Sequence, residues 1–277
     1  MNATGRLGRG LLGGYFTLLV IFLYAPLVVL LVFAFNDGNI PTLPIKNFST
    51  KWFGIAFGDS NLISALVRSA LIAAINGICA TLLGTMAAVA LARRKLALRR
   101  VIVTLILLPL VVPYIVLAVG LVVLMHEFGI STSLLAVLLG HVVISLPYSV
   151  LVVLPRLRTL DPSIAEAASD LGASDIKGFL FVTVPLLMPA LFSSLLIAFT
   201  ISFDEFAIAS FLAPPGSPTY PVFLYAGART PALLPEVIAI GSLIIVLSLI
   251  IIALADLVRR YAERRLEATV RAGALAG

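Results

Sequence analysis

Along the chain, polar and apolar positions segregate into long blocks, without the short alternations of a soluble fold. Six apolar stretches, 15–35, 69–92, 101–125, 133–154, 179–203 and 237–255, contain no Asp, Glu, Lys or Arg. At about 1.5 Å per residue, each can cross roughly 30 Å of hydrocarbon as a helix. The pattern predicts an all-α polytopic membrane protein of six transmembrane helices, forming one transmembrane domain over 1–277. The first stretch exceeds the roughly 7 to 15 residues of a signal-peptide core and no convincing small-residue cleavage site follows, so it reads as a retained anchor.

Proline interrupts the spans at Pro26, Pro109, Pro113, Pro147, Pro185 and Pro189. Each removes a backbone donor and bends its helix, a mild pointer to a pathway. In the second span Ala73, Gly77, Thr81 and Thr85 recur every four residues, with Ala80, Gly84 and Ala88 alongside. This small-residue face suits close helix packing and reports assembly, not chemistry.

Composition agrees with the pattern. Of 277 residues 61% are hydrophobic and 12% charged, at a mean hydropathy of +1.15, more apolar surface than a soluble core of this size can hide. A single cysteine, Cys79, excludes an internal disulfide framework and a multi-cysteine metal site. The net charge of +6 follows the membrane and needs no nucleic acid. Fifteen of the 19 basic residues fall on one face: Arg6 and Arg9 before the first span, Arg93 to Arg100 after the second, Arg156, Arg158 and Lys177 after the fourth, and Arg259 to Arg271 at the end. The positive-inside rule puts both termini in the cytoplasm.

The long cytoplasmic loop, 155–177, is too ordered for a plain connection. Asp161-Pro162-Ser163 is a helix start, with Asp161 as N-cap and Pro162 in the first turn. Ile164, Ala167, Ala168 and Leu171 then share one side, and Gly172 ends the helix as a residue free to take positive φ. Ser174 and Asp175 open a new helix into span five. Small side chains on that side would let the helix settle into a groove on another protein.

Glu166-Ala167-Ala168-Ser169-Asp170-Leu171-Gly172-Ala173, continued by Phe179, Val182, Pro185 and Pro189, resembles the EAA motif of permease subunits of ABC importers. The resemblance implies that Glu166, Ala167, Ala168, Asp170, Leu171, Gly172 and Ala173 belong to a coupling helix that docks into a cytoplasmic ATPase. None of the four lysines, Lys46, Lys51, Lys95 and Lys177, sits in a phosphate-binding loop, so ATP and Mg would belong to the partner and this chain would bind no cofactor. Leu107-Leu108-Pro109, Val112-Pro113, Leu146-Pro147-Tyr148 and Ser202-Phe203-Asp204-Glu205-Phe206 are similar to the second membrane subunit of spermidine/putrescine permeases. That implies a bacterial inner-membrane, multi-pass subunit with a second permease subunit, two ATPases and a periplasmic binding protein as partners, bathed in lipid. One departure stands out: polyamine permeases of this type commonly carry an acid after the span-three proline, where this chain has Tyr114. Permeases for opines and amino-acid-like solutes share much of the remaining pattern.

Asp204 and Glu205 follow 25 charge-free residues, and a carboxylate near the membrane needs a partner, water or a cavity. Being adjacent, only one can face a path; Asp204 is expected to line it and Glu205 to be structural. Tyr114, Ser202 and Phe203 complete the expected substrate path. His141 reads as a packing histidine, Trp52 with its neighbouring phenylalanines as an interfacial anchor, and His126-Glu127 lacks the second histidine of a metal site, so neither a metal nor a catalytic centre is expected. An ion-coupled secondary transporter would show inverted repeats and midplane charge, and neither is evident. An intramembrane serine protease would need its nucleophile at membrane depth, whereas Gly172-Ala173-Ser174 is cytoplasmic.

Overall fold

The computed structural model describes residues 3–42, 44–45, 47–93 and 98–250. The expectations placed on Lys46, Arg94, Lys95, the end of the sixth span and the basic tail lie outside the described residues. The chain divides into two compact units, 1–59 with 226–277, and 60–225. Among the described residues everything regular is helical, apart from one isolated bridge between Asn36 and Phe48.

In the first unit, α1 (Ala3–Phe33) carries Pro26 and leads into a loop closed by that bridge and by α2 (Lys51–Gly58). Trp52 fastens this loop: its indole donates to the Asn36 carbonyl at 3.0 Å, and the ring is buried. The expected interfacial anchor is therefore an internal lock, since the ring is buried and its indole N–H is taken up by the loop carbonyl. The unit's last described helical stretch is the apolar Leu234–Ile250.

The second unit is built on three packed helices. They are α3 (Ser60–Arg93), α6 (Leu134–Arg158) and α9 (Val184–Phe203); α4 (Arg99–Leu107) and α5 (Tyr114–Glu127) lie between the first two in sequence. The small face of α3 performs as its spacing predicts. Ala73, Ala80 and Ala88 are fully buried, a Cβ on Gly84 would overlap Ser149 of α6, and one on Gly77 would lie 3.1 Å from the Leu195 carbonyl of α9. Backbones this close bring buried polar groups into reach: Asn76 donates to Ser145 Oγ and to the Ala198 carbonyl, both at 2.9 Å, and Thr81 meets Ser194 at 3.0 Å. In hydrocarbon such bonds bind helices that have no hydrophobic drive to associate.

The third predicted span is not one rod. Arg99–Leu110 and Tyr114–Glu127 meet at 110°, because Pro109 lies in a 3₁₀ turn and Pro113 takes extended geometry (φ −55, ψ 132) to cap α5. Four helices, Leu11–Phe33, Ser60–Ala92, Leu134–Arg158 and Asp175–Phe203, are long and apolar enough to cross a membrane, and the bent pair makes a fifth. Counting the bent pair as one span, the described residues hold five of the six expected spans, and the sixth is described as far as Leu234–Ile250.

Candidate functional site

The loop after α6 folds as its residues dictate. Helix α7 (Pro162–Asp170) starts where Asp161 accepts the Ser163 amide at 2.9 Å. Those bonds hold the Asp161 carboxyl below the usual carboxylate range. The helix stops at Gly172, whose φ is +84. The Gly172 amide returns to the Ser169 carbonyl at 2.9 Å and the Ala173 amide to Ala168 at 3.0 Å, the two crossed bonds of a Schellman turn. Ser174 then caps α8 (Asp175–Gly178), and a π-helical turn, Phe179–Thr183, feeds α9. The outward side is open: Glu166, Ala167 and Asp170 are exposed and Leu171 is 90% exposed. Ala168 and Ala173 are half-buried. The exposed Leu171 is the C-cap of this nine-residue helix and lies beside the exposed Ala167.

At the other end of α9 the chain breaks for Asp204-Glu205-Phe206 and resumes as α10 (Ala207–Leu212). Glu205 is buried and accepts the Ile208 and Ala209 amides at 2.9 and 3.0 Å, so it caps the helix that follows. Its Oε2 also lies 3.3 Å from His141 Nε2, within ion-pair distance but without the geometry of a hydrogen bond. The other imidazole nitrogen, Nδ1, meets Ser202 Oγ at 2.7 Å. Asp204 is exposed. It shares a cavity of about 460 Å³ with Tyr114, Thr200, Phe206 and the edge of Glu205.

The five path residues expected from sequence thus separate. Tyr114, Asp204 and Glu205 border one cavity, with the Tyr114 hydroxyl bonded to Tyr148. Ser202 is buried against His141. Phe203 stacks on Phe199 at 5.8 Å and leans on Tyr220 at 6.0 Å. His141 was not expected in this group. The available signal was an ionisable residue inside a charge-free span, which needs a partner at the same depth.

Residues 80–268 match the family model described as "Binding-protein-dependent transport system inner membrane component". The chain belongs to this family. This inner-membrane component is 38% identical over 231 residues to the putrescine transport system permease protein PotI of Escherichia coli K12, covering 81% of the chain and 82% of the relative. It is 32% identical over 254 residues to the spermidine/putrescine transport system permease protein PotC of the same strain, covering 92% and 96%, and 34% identical to PotC of Haemophilus influenzae over 86% and 92%. Two solved transporter structures share its fold. One is a bacterial ABC transporter importing alginate (TM-score 0.72, 15% identity, 92% of this chain and 98% of that one). The other is an alginate transporter bound to its pentasaccharide-loaded periplasmic protein (TM-score 0.68, 18% identity, 87% and 91%). The inner-membrane component is accordingly a transport subunit with an ABC importer permease fold, and not an enzyme.

Proposed function

We propose that this chain is one of two permease subunits of an ATP-driven importer and lines the passage for a small polyamine-like cation handed over by a periplasmic binding protein. Two cytoplasmic ATPases hold ATP and Mg, and one of them docks on α7 of this chain through Ala167, Ala168 and Leu171, with Glu166 and Asp170 at the rim and Gly172-Ala173 setting the angle. Both termini are cytoplasmic, in keeping with the basic residues. The observation that carries the substrate reading is the exposed Asp204 carboxylate in a cavity it shares with Tyr114 and Phe206. A carboxylate beside aromatic faces suits an ammonium group. The names of the relatives, putrescine and spermidine/putrescine permeases, support the same substrate class.

The test is ATP-dependent putrescine uptake by proteoliposomes holding this chain, a second permease and the ATPase, supplied with the binding protein. Asp204→Asn is expected to slow uptake by about tenfold, the scale of one lost charged hydrogen bond, without changing affinity for the binding protein. Unchanged uptake would remove Asp204 from the path, and uptake by vesicles holding this chain alone would overturn the ATP-driven reading. Tyr114, standing where an acid is common, favours a second reading: an opine or amino-acid-like solute. Excess putrescine would then leave uptake of the true substrate undiminished.

A further inference from the structure

One imidazole touches both sides of the break between α9 and α10. His141 of α6 reaches Ser202, the penultimate residue of α9, with Nδ1 at 2.7 Å, and Glu205, the residue that caps α10, with Nε2 at 3.3 Å. All three residues are at most 5% exposed, while Asp204, between the two held positions, is exposed to the cavity. Glu205 spends both carboxylate oxygens on the amides of Ile208 and Ala209, so a contact to Glu205 bears directly on the start of α10. The neighbouring residue strengthens the clamp: a Cβ on Gly140 would come within 2.6 Å of Ile208 Cγ2, which shows how closely α10 lies on α6. Leu212 closes the far end by accepting the Ser133 amide at 3.0 Å.

We propose that His141 is a positioning residue for transport, which fixes the α9–α10 break through Ser202 and Glu205 and so presents Asp204 to the passing cation. This rests on the role given to Asp204 above. The side chain is suited to the task because a histidine offers two hydrogen-bonding nitrogens on opposite edges of one rigid ring. His141 itself does not line the cavity, so the imidazole acts on the solute only by holding the carboxylate in place, and misplacement by about 1 Å suffices to cost rate.

The test is a double-mutant cycle on the complete complex in proteoliposomes, with ATPase stoichiometry recorded for each variant. His141→Ala is expected to lower the maximal uptake rate about tenfold while leaving stoichiometry unchanged, and His141→Gln, a polar side chain that can still bond Ser202, to recover most of it. Because His141 acts through Asp204, adding His141→Ala to Asp204→Asn should lower uptake no further; two independent defects would multiply. A multiplied loss, or no loss from His141→Ala alone, overturns the positioning role and leaves the Asp204 reading standing. No loss from Asp204→Asn alone overturns the Asp204 reading, and the positioning role falls with it. Should His141→Ala fail to assemble, the same cycle is run with Ser202→Ala, which keeps the packing and removes only the 2.7 Å partner; a multiplied loss there overturns the proposal and a non-additive one supports it.

Discussion

Replacing Gly172 by valine isolates the turn that sets the angle of α7. Gly172 has φ +84 and no atom within 4 Å of where a Cβ would stand, so the substitution meets no steric obstacle in this chain and its cost lies in the backbone. An L-residue held in left-handed geometry costs about 1–2 kcal/mol, and β-branching adds to it. On so short a helix that shifts the balance between turned and unturned forms by about 5- to 30-fold. The bonds at stake are those from Gly172 and Ala173 to Ser169 and Ala168; without them the last turn of α7 loses its direction. Gly172→Val should therefore leave an inserted chain that recovers little ATPase on purification and no longer couples hydrolysis to uptake. Gly172→Asn, a residue that tolerates this geometry, should lose least. Wild-type ATPase stoichiometry and substrate-stimulated hydrolysis in Gly172→Val would refute both the turn argument and the docking role.

Other expectations are more local. With Cys79 replaced by alanine, single cysteines at Ser217 and Ser174 should react with membrane-impermeant reagents from opposite sides; same-side labelling would overturn the orientation. Because bonding to Ser163 lowers the Asp161 carboxyl, its capping contribution is present above the usual carboxylate value and fades as pH falls through the lowered one. Amide exchange in α7 should therefore quicken in acid, whereas in Asp161→Ser, whose cap does not titrate, it should show no such step; a step of equal size in both would assign it to another group. Gly140→Ala should lower thermal stability by about 1–3 kcal/mol, the usual cost of overpacking, because its methyl would press Ile208 at 2.6 Å and Leu212 at 3.1 Å. An unchanged melting temperature would mean that α10 is not held against α6 as described.

What could be foreseen from sequence was what is decided within a few residues. The start of α7 at Asp161, its end at Gly172 and the restart at Ser174 all rest on local backbone bonds, and the small face of α3 rests on a repeat of four. The adjacency of Asp204 and Glu205 already required them to point apart. What needed three dimensions was the pairing of distant helices. His141 and Glu205 are 64 positions apart in sequence, and nothing in either neighbourhood says that α6 and α10 meet at that depth. The prolines at 109 and 113 announced a disturbance, but its size depends on how α5 packs: α10 inserts Ile208, Ala209 and Leu212 between α5 and α6, in a cluster with Ala118, Met125 and Val137. Trp52 was misread for the same reason, since its partner is the carbonyl of Asn36, brought close by the loop.

The two candidate regions are the two ends of one element. Asp175–Phe203 runs as a continuous apolar helix from the residue after the α8 cap to the residue before Asp204; its α9 part alone, 20 residues long, spans about 30 Å. On the roles proposed here, α7 meets the ATPase at its base and Asp204 meets the solute at its top. A helix of that length needs no chain of switching contacts to carry a displacement; a tilt at the base moves the top directly. The base is the part free to give. It contains a π turn, where the backbone ladder is already out of register, and it borders a cleft of about 740 Å³ lined by Thr85 and Met86 of α3 together with Phe179 and Val184. The middle is the part that resists, since Thr81–Ser194 and Asn76–Ala198 tie α9 to α3. On the proposed roles, a tilt at α7 would reach Asp204 only past those bonds and against the His141 contacts at the top.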